Sequence, residues 1–337
     1  MTVLSAGRLV TRRPADALFR FTAATCASIV LILLAGMLIR TTWSAWPAFS
    51  HSGIGIVTSN SWNPNLLQFG GLSFIYGTLV TSFIALLLAV PVSVLIALFL
   101  TEIAPARIAT PLGYVVDLLA AVPSVVYGLW GVFVLVPFLT PIWQWLSSNL
   151  GFIPLFSQFS SGRDFATAGV ILALMIVPII SAVCREVFRT VPADERESAL
   201  ALGATRWEMI RLAVLPRSRP GVVAAVMLGF GRAVGETIAV AYLIGGVPNK
   251  VTPHLFQQGS TIAANIALQF NEAASLPLFK AALIALGVVL FVITLLWDIH
   301  LTGATQVRGP PVSSGQQALS VRDQRKRRPP RWGTPVK

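Results

Sequence analysis

Six stretches of the chain, residues 21–39, 75–100, 118–138, 165–184, 221–246 and 281–297, are each apolar for close to the length of a membrane-crossing helix. A hydrocarbon core of about 30 Å takes about 20 helical residues, and an open, unpaired backbone cannot cross it because its polar groups would go unsatisfied. Only 11% of the 337 residues are charged and 55% are hydrophobic, against about 25% charged in a soluble domain. The pattern predicts an all-α integral membrane protein with about six transmembrane helices. Pro91, Pro123 and Pro178 fall inside these stretches and are expected to kink them. Arg8, Arg12, Arg13 and Arg20 precede the first stretch as they would in a signal peptide, but no small-residue cleavage site ends it, so it reads as a retained anchor. Cys26 and Cys184 lie in apolar runs without metal-ligand spacing and read as packing residues.

The net charge of +12 is the one feature that could suggest nucleic acid. With the N-terminus cytoplasmic, however, 20 of the 25 basic residues fall on cytoplasmic segments, including seven arginines from Arg185 to Arg219 and eight basic residues from Arg308 to Lys337. That asymmetry is the positive-inside pattern. It places both termini in the cytoplasm of a multi-pass protein of a bacterial inner membrane and leaves no call for a nucleic-acid partner. Residues 1–20 form a basic cytoplasmic segment, 21–71 the first span and an external loop, and 72–302 the main transmembrane domain with a cytoplasmic loop at 185–220. Residues 303–337 form a basic tail expected to be disordered and drawn to anionic membrane lipid. Trp43, Trp46, Trp62, Trp143 and Trp145 fall near outer span ends, as interfacial tryptophans do. Glu102, Asp117 and Asp298 are expected at water-accessible cytoplasmic span ends, and His51, His254 and His300 show no metal or catalytic spacing.

The loop at 185–220 has the grammar of two capped helices. Pro192 suits a first helical turn, Asp194, Glu195 and Glu197 complement the positive end of the dipole, and Gly203 suits the position just past the C-terminus. Thr205 and Glu208 form a capping-box pattern opening a second helix that Pro216 is expected to end. An ordered hairpin either packs on itself or is a docking element. Glu197, Ser198 and Ala199, then Gly203, then Leu215 and Pro216 resemble the EAA loop of ABC importer permeases, with Ser198 in place of the second alanine and Ala213 in place of the isoleucine. The resemblance implies that this segment seats on a cytoplasmic ATPase. The chain has no G-x-x-x-x-G-K-[ST] loop, so ATP and its magnesium belong to that partner, no cofactor is expected on this chain, and it is not an enzyme by itself.

The run GFGRAVGETIAV, residues 229–240, puts Arg232 and Glu236 four apart on one helix face within the fifth stretch. Intramembrane charges are costly and mark either function or an internal pair that fixes packing. Gly231 and Gly235 add a G-x-x-x-G pattern that lets helices approach closely. A guanidinium fork suits an oxyanion, and a carboxylate can accept a hydrogen bond from a protonated one such as hydrogen phosphate. This run, with the FIYGTL opening at residues 74–79, resembles the phosphate ABC importer permeases of the PstC type over residues 69–300. The resemblance implies the type I importer permease (MetI-like) fold and alternating access. It further implies a PstA-type sister permease, two copies of the ATPase and an external phosphate-binding protein, with Arg232, Glu236 and Thr237 on the substrate pathway. Sulfate or molybdate stays open as the oxyanion, and a secondary transporter is the rival class, although no inverted repeat is visible.

Overall fold

A computed structural model describes residues 14–306; the arginines before residue 14 and the basic tail beyond 306 lie outside the described residues. The described residues are built from helices with one two-stranded hairpin. Helix α1 (Pro14–Ser52) leads into a short α2 (Gly55–Thr58), then β1 (Trp62–Asn63) paired antiparallel with β2 (Gln68–Phe69). There follow α3 (Leu72–Leu98), α4 (Ala106–Ala121), α5 (Ser124–Trp130), α6 (Val136–Leu150), α7 (Phe165–Arg189), α8 (Ala193–Ala201) and α9 (Arg206–Met209). The chain continues through α10 (Leu215–Val234), α11 (Ile238–Leu243), α12 (Ile262–Ala273) and α13 (Pro277–Gln306). Six of the resulting helical rods are long and apolar enough to span a membrane.

Helices α3 and α7 are the central pair, and small residues bring them together. Along α3 the small buried residues Gly77, Thr78, Thr81, Ser82, Ala85, Ala89, Ser93 and Ala97 recur mostly at intervals of three and four, so that they share one face. Between apolar helices in lipid, close backbone approach and interhelical hydrogen bonds replace the hydrophobic drive. A Cβ on Gly169 of α7 would stand 2.5 Å from Ile84 Cγ2, and Ser93 Oγ donates to Val177 O at 3.1 Å. A Cβ on Gly77 would run into the carbonyl of Ser260. Helix α1 lies outside this core and packs on α13 through Ala45 and Ala48 while most of its surface stays exposed. Cys26 is exposed on it, against the packing role expected, whereas Cys184 is buried in α7.

Three turns widen to the π form, at Phe99–Ile103, Gly131–Leu135 and Ile210–Val214. Each ends two residues before a proline, namely Pro105, Pro137 and Pro216. Proline removes the N–H that the α ladder needs and crowds the carbonyl four residues back, and a π-turn inserts an extra residue that relieves both; the helix runs on through Pro137 and Pro216, whereas at Pro105 it ends, Ala104 being extended. Pro216 therefore does not end the second loop helix as expected: α9, its π-turn and α10 form one continuous rod. Pro123 does more than kink. Val122 and Pro123 are extended (ψ 128° and 140°), so α4 separates and the third span runs over Ser124–Leu150 rather than 118–138. Asp117 accordingly lies on α4 and not at the end of a span. The first span is also longer than expected, Leu18–Ser52.

At the end of the bundle away from α8, the segment 244–261 folds over the helix ends. Tyr76 Oη donates to Thr252 O at 2.6 Å, and Leu255 N donates to Leu155 O at 2.9 Å. Of the tryptophans expected at the interface, Trp62 is packed inside and Trp143 is half-buried. Trp62 sits edge-on to Phe69, Phe74 and Phe279, and Trp143 stacks on Phe256 while its Nε1 donates to Thr167 Oγ1. Trp43, Trp46 and Trp145 are exposed. Asp164, just before the span that begins at Phe165, caps α7 by accepting from Thr167 N at 2.8 Å.

Two measurements check this account. Gly77→Ala should cost about 1–3 kcal/mol and lower the thermal midpoint of the purified protein in detergent, whereas Gly231→Ala should not, since a methyl there meets nothing within 4 Å. Burial pushes the Asp164 carboxyl up from 3.8 to about 6, against hydrogen bonds from Thr167 and Ala166 that lower it. The folded chain then holds that proton more tightly than the unfolded one, so this site adds stability as pH falls from about 6 towards 4 and adds none at pH 7. Asp164→Asn keeps the cap acceptor and should flatten the pH dependence of the midpoint in that window.

Candidate functional site

The fifth rod stops where the charged pair sits. Helix α10 ends at Val234 with Gly235 as its C-cap, residues 235–237 leave the helix, and α11 begins at Ile238. The expected single helix over 221–246 is therefore broken, and Arg232 and Glu236 do not share one helix face. Arg232 occupies the last turn of α10, where a cation complements the negative end of the dipole. Glu236 lies past that end, its Oε1 accepting from Ala239 N of α11 at 3.4 Å. Each charge thus finds a backbone group of opposite polarity. Their side chains approach to 3.9 Å, too far for a hydrogen bond, with Arg232 46% exposed and Glu236 5%. Thr237 is half-buried in the break, its Oγ1 donating to Gly235 O at 3.3 Å.

Arg232 opens on a depression of about 540 Å³ whose wall includes Met227, Leu228, Gly231, Thr294 and Asp298. Its walls are mainly apolar, with the guanidinium of Arg232, the hydroxyl of Thr294 and the carboxylate of Asp298 as the polar groups on the lining. Gly231 does not serve close packing within this chain: nothing stands within 4 Å of a Cβ built there, and at Gly235 only the carbonyl of Gly231 does. The close approaches of α10 are instead at Gly221, against Val187, and Gly229, against Ile180.

The second expected site is a hairpin at one end of the bundle. Pro192 is the N-cap of α8 rather than a residue of its first turn, and Asp194 and Glu195 lie in that turn. Leu202 is the C-cap, and Gly203 takes φ +87° while Ala204 N donates to Ala199 O at 3.2 Å, closing the helix through a left-handed residue. The capping box forms: Thr205 Oγ1 accepts from Glu208 N, and Glu208 Oε2 accepts from Thr205 N at 2.7 Å. Glu197, Ser198 and Pro216 are exposed, while Ala199 and Leu215 pack on the core. Buried Met209, Ile210 and Val214 root the second arm. Three exposed apolar side chains were not singled out from the sequence, Leu200, Leu202 (90% exposed) and Trp207, although flanking a positive-φ glycine they were open to that reading. Glu102, expected in water, is buried and paired with Arg196 at 2.8 Å.

An arginine at the break of a membrane-length rod and a rooted, apolar-tipped hairpin at one end of the bundle are the two candidate sites. Residues 69–302 match the family model of binding-protein-dependent transport system inner membrane components. The chain belongs to this family. The permease is similar to the phosphate transport system permease protein PstC of Mesorhizobium japonicum, 44% identical over 286 residues that make up 83% of this chain and 87% of that protein. The protein of the same name from Pasteurella multocida is 45% identical over 284 residues, 83% and 88% of the two chains. Among solved structures it resembles a bacterial ABC transporter involved in the import of the acidic polysaccharide alginate, with TM-score 0.53 and 17% identity over 87% of this chain and 96% of that one. That likeness shows the fold, an all-helical type I importer permease embedded in the membrane by several passes.

Gly203 tests the hairpin turn without disturbing its packing. Left-handed backbone costs an ordinary residue about 1–2 kcal/mol, and no neighbour stands within 4 Å of an added Cβ. Gly203→Asp should therefore insert into membranes at wild-type levels, read by immunoblot of the membrane fraction, yet lose transport in reconstituted vesicles, because its carboxylate stands on the exposed tip.

Proposed function

We propose that this chain is the PstC-type permease of an importer that carries inorganic phosphate inward across the bacterial inner membrane. One observation carries the reading: a half-exposed arginine at the end of a broken intramembrane helix faces an open depression, with a buried carboxylate 3.9 Å away. A guanidinium fork binds two oxygens of a tetrahedral oxyanion at once. Glu236 can accept a hydrogen bond from the hydroxyl that hydrogen phosphate carries and fully ionised sulfate lacks, so the pair reads protonation as well as charge. The phosphate named in the curated relatives agrees with this chemistry. Arg232, Glu236 and Thr237 form this chain's part of the pathway.

The depression is open on the side where Gly231 has no neighbour, which suits a PstA-type sister permease closing the second wall. Two copies of a cytoplasmic ATPase, holding ATP and magnesium, seat on α8 of the two permeases through Glu197 to Gly203 and their apolar neighbours. A phosphate-binding protein delivers ligand to the opposite face. The seven arginines from Arg185 to Arg219 lie on the hairpin end of the bundle, which supports a cytoplasmic hairpin, and the positive-inside pattern of the sequence puts both termini on the same side. ATP-driven closure of the ATPase pair moves α8, and the break at 235–237 lets α10 and α11 respond separately as access alternates.

The test is ATP-dependent uptake of labelled phosphate in vesicles holding this chain with its partners. Arg232→Gln should lower uptake about tenfold or more, the loss of one charge-assisted interaction, without reducing assembly, and excess sulfate should not compete. Uptake independent of ATP, or blocked by sulfate, would overturn the reading. Failure of Arg232→Gln to assemble would assign the arginine to packing.

A further inference from the structure

The arm of the hairpin that carries Glu197 to Gly203 is held to the membrane body in an unusual way. Helix α8 buries none of its residues, and only Ala199 reaches the core from it. Its attachment is a guanidinium. Arg196 Nη2 donates to Glu102 Oε1 at 2.8 Å and to Phe188 O at 2.7 Å, and Nη1 donates to Val191 O at 2.9 Å. The other ion pair of this arm, Glu195 with Arg217, is 3.9 Å long with both side chains exposed, a geometry worth little in water. Glu102 belongs to the π-turn that ends α3, and Phe188 lies in the last turn of α7. One side chain therefore grips the ends of both central helices, and it does so where Glu102 is only 6% exposed.

We propose that the Arg196–Glu102 pair is the joint by which α8 moves α3 together with α7. Apart from this pair, α8 is held by the turn at 190–192, by Ala199 on the core and by its packing on the second arm of the hairpin, so the guanidinium is its hydrogen-bonded tie to the ends of α3 and α7 together. A buried carboxylate stripped of its partner is costly, so the pair stays closed while α8 is pulled, and the load passes to the π-turn. Arg196 and Glu102 are positioning residues and touch neither substrate nor nucleotide. Arg185, paired with Asp117, ties α7 to α4 beside this joint. The inference rests on α8 being the segment that seats on the ATPase.

The experiment uses the assembled importer in vesicles, comparing wild type with Glu102→Gln, Arg196→Met and the exchange Glu102→Arg/Arg196→Glu. Two quantities are read: phosphate moved per ATP hydrolysed, and amide hydrogen exchange over residues 193–201. Glu102→Gln keeps the shape of the site and one hydrogen bond. It should assemble, hydrolyse ATP at the basal rate, lower the transport ratio roughly fivefold or more, as for a coupling lost between two sites, and speed exchange in α8. The charge exchange should recover part of the ratio. An unchanged ratio in both single variants overturns the proposal, and so does an exchange variant no better than the singles. A Glu102→Gln complex that fails to assemble also overturns it, since the pair would then hold the fold rather than transmit motion. A wild-type complex that hydrolyses ATP but moves no phosphate would sink the phosphate reading instead. The joint would then be decided by hydrogen exchange, where wild-type protection of α8 in Glu102→Gln overturns it.

Discussion

A backbone amide or carbonyl that leaves a helix inside hydrocarbon must find a partner there, and this requirement governs where the chain is irregular. At the break between α4 and α5, Val122 N still reaches Leu119 O, and Tyr127 Oη returns to the same carbonyl at 2.9 Å. At the break between α10 and α11, Gly235 N and Glu236 N reach back to Gly231 O and Ala233 O, while Ala239 N takes the carboxylate of Glu236. Ser93 of α3 reaches across to the carbonyl of Val177, one residue before Pro178. Irregular backbone is thus bought with side-chain oxygens and with shared carbonyls, as a membrane requires.

The same economy explains how two charges stand at the fifth rod. Isolated, each would cost several kcal/mol in hydrocarbon. Here Arg232 caps the electronegative end of one helix and Glu236 the electropositive end of the next, so the break that frees the backbone also stabilises both charges. Because neither group needs the other for that stabilisation, the 3.9 Å gap between them can be occupied or widened at small expense. A tight internal salt bridge would resist a passing anion far more.

What was legible in the sequence was what is decided locally. The capping box at Thr205 and Glu208 and the positive-φ turn at Gly203 involve residues within five of one another, and both stand where their spacing put them. The six spans were legible because bilayer thickness sets their length. Features decided by distant neighbours were not: Glu102 and Arg196 are 94 positions apart, and Trp62 looked interfacial until Phe69, Phe74 and Phe279 surrounded it. Prolines misled in two directions, since Pro123 breaks a helix that was expected only to kink and Pro216 fails to stop one. Neither outcome is set by the proline alone: a π-turn precedes Pro216, the residue before Pro123 is extended, and Pro91 and Pro178 stay inside α3 and α7.

That bulge also sets an angle. The helical rod runs unbroken from the hairpin arm at Arg206 to Val234, so whatever twists its base reorients Arg232 at its far end. An α-helix advances about 100° per residue, and the π-turn at Ile210–Val214 holds one residue more than an α-turn would. If the bulge relaxed to regular helix at one place and re-formed at another, every side chain between the two places would swing by about that angle with little change in length. A bulge of this kind is an azimuthal gear, and it lies between the exposed tip of the hairpin and the arginine at the end of the rod.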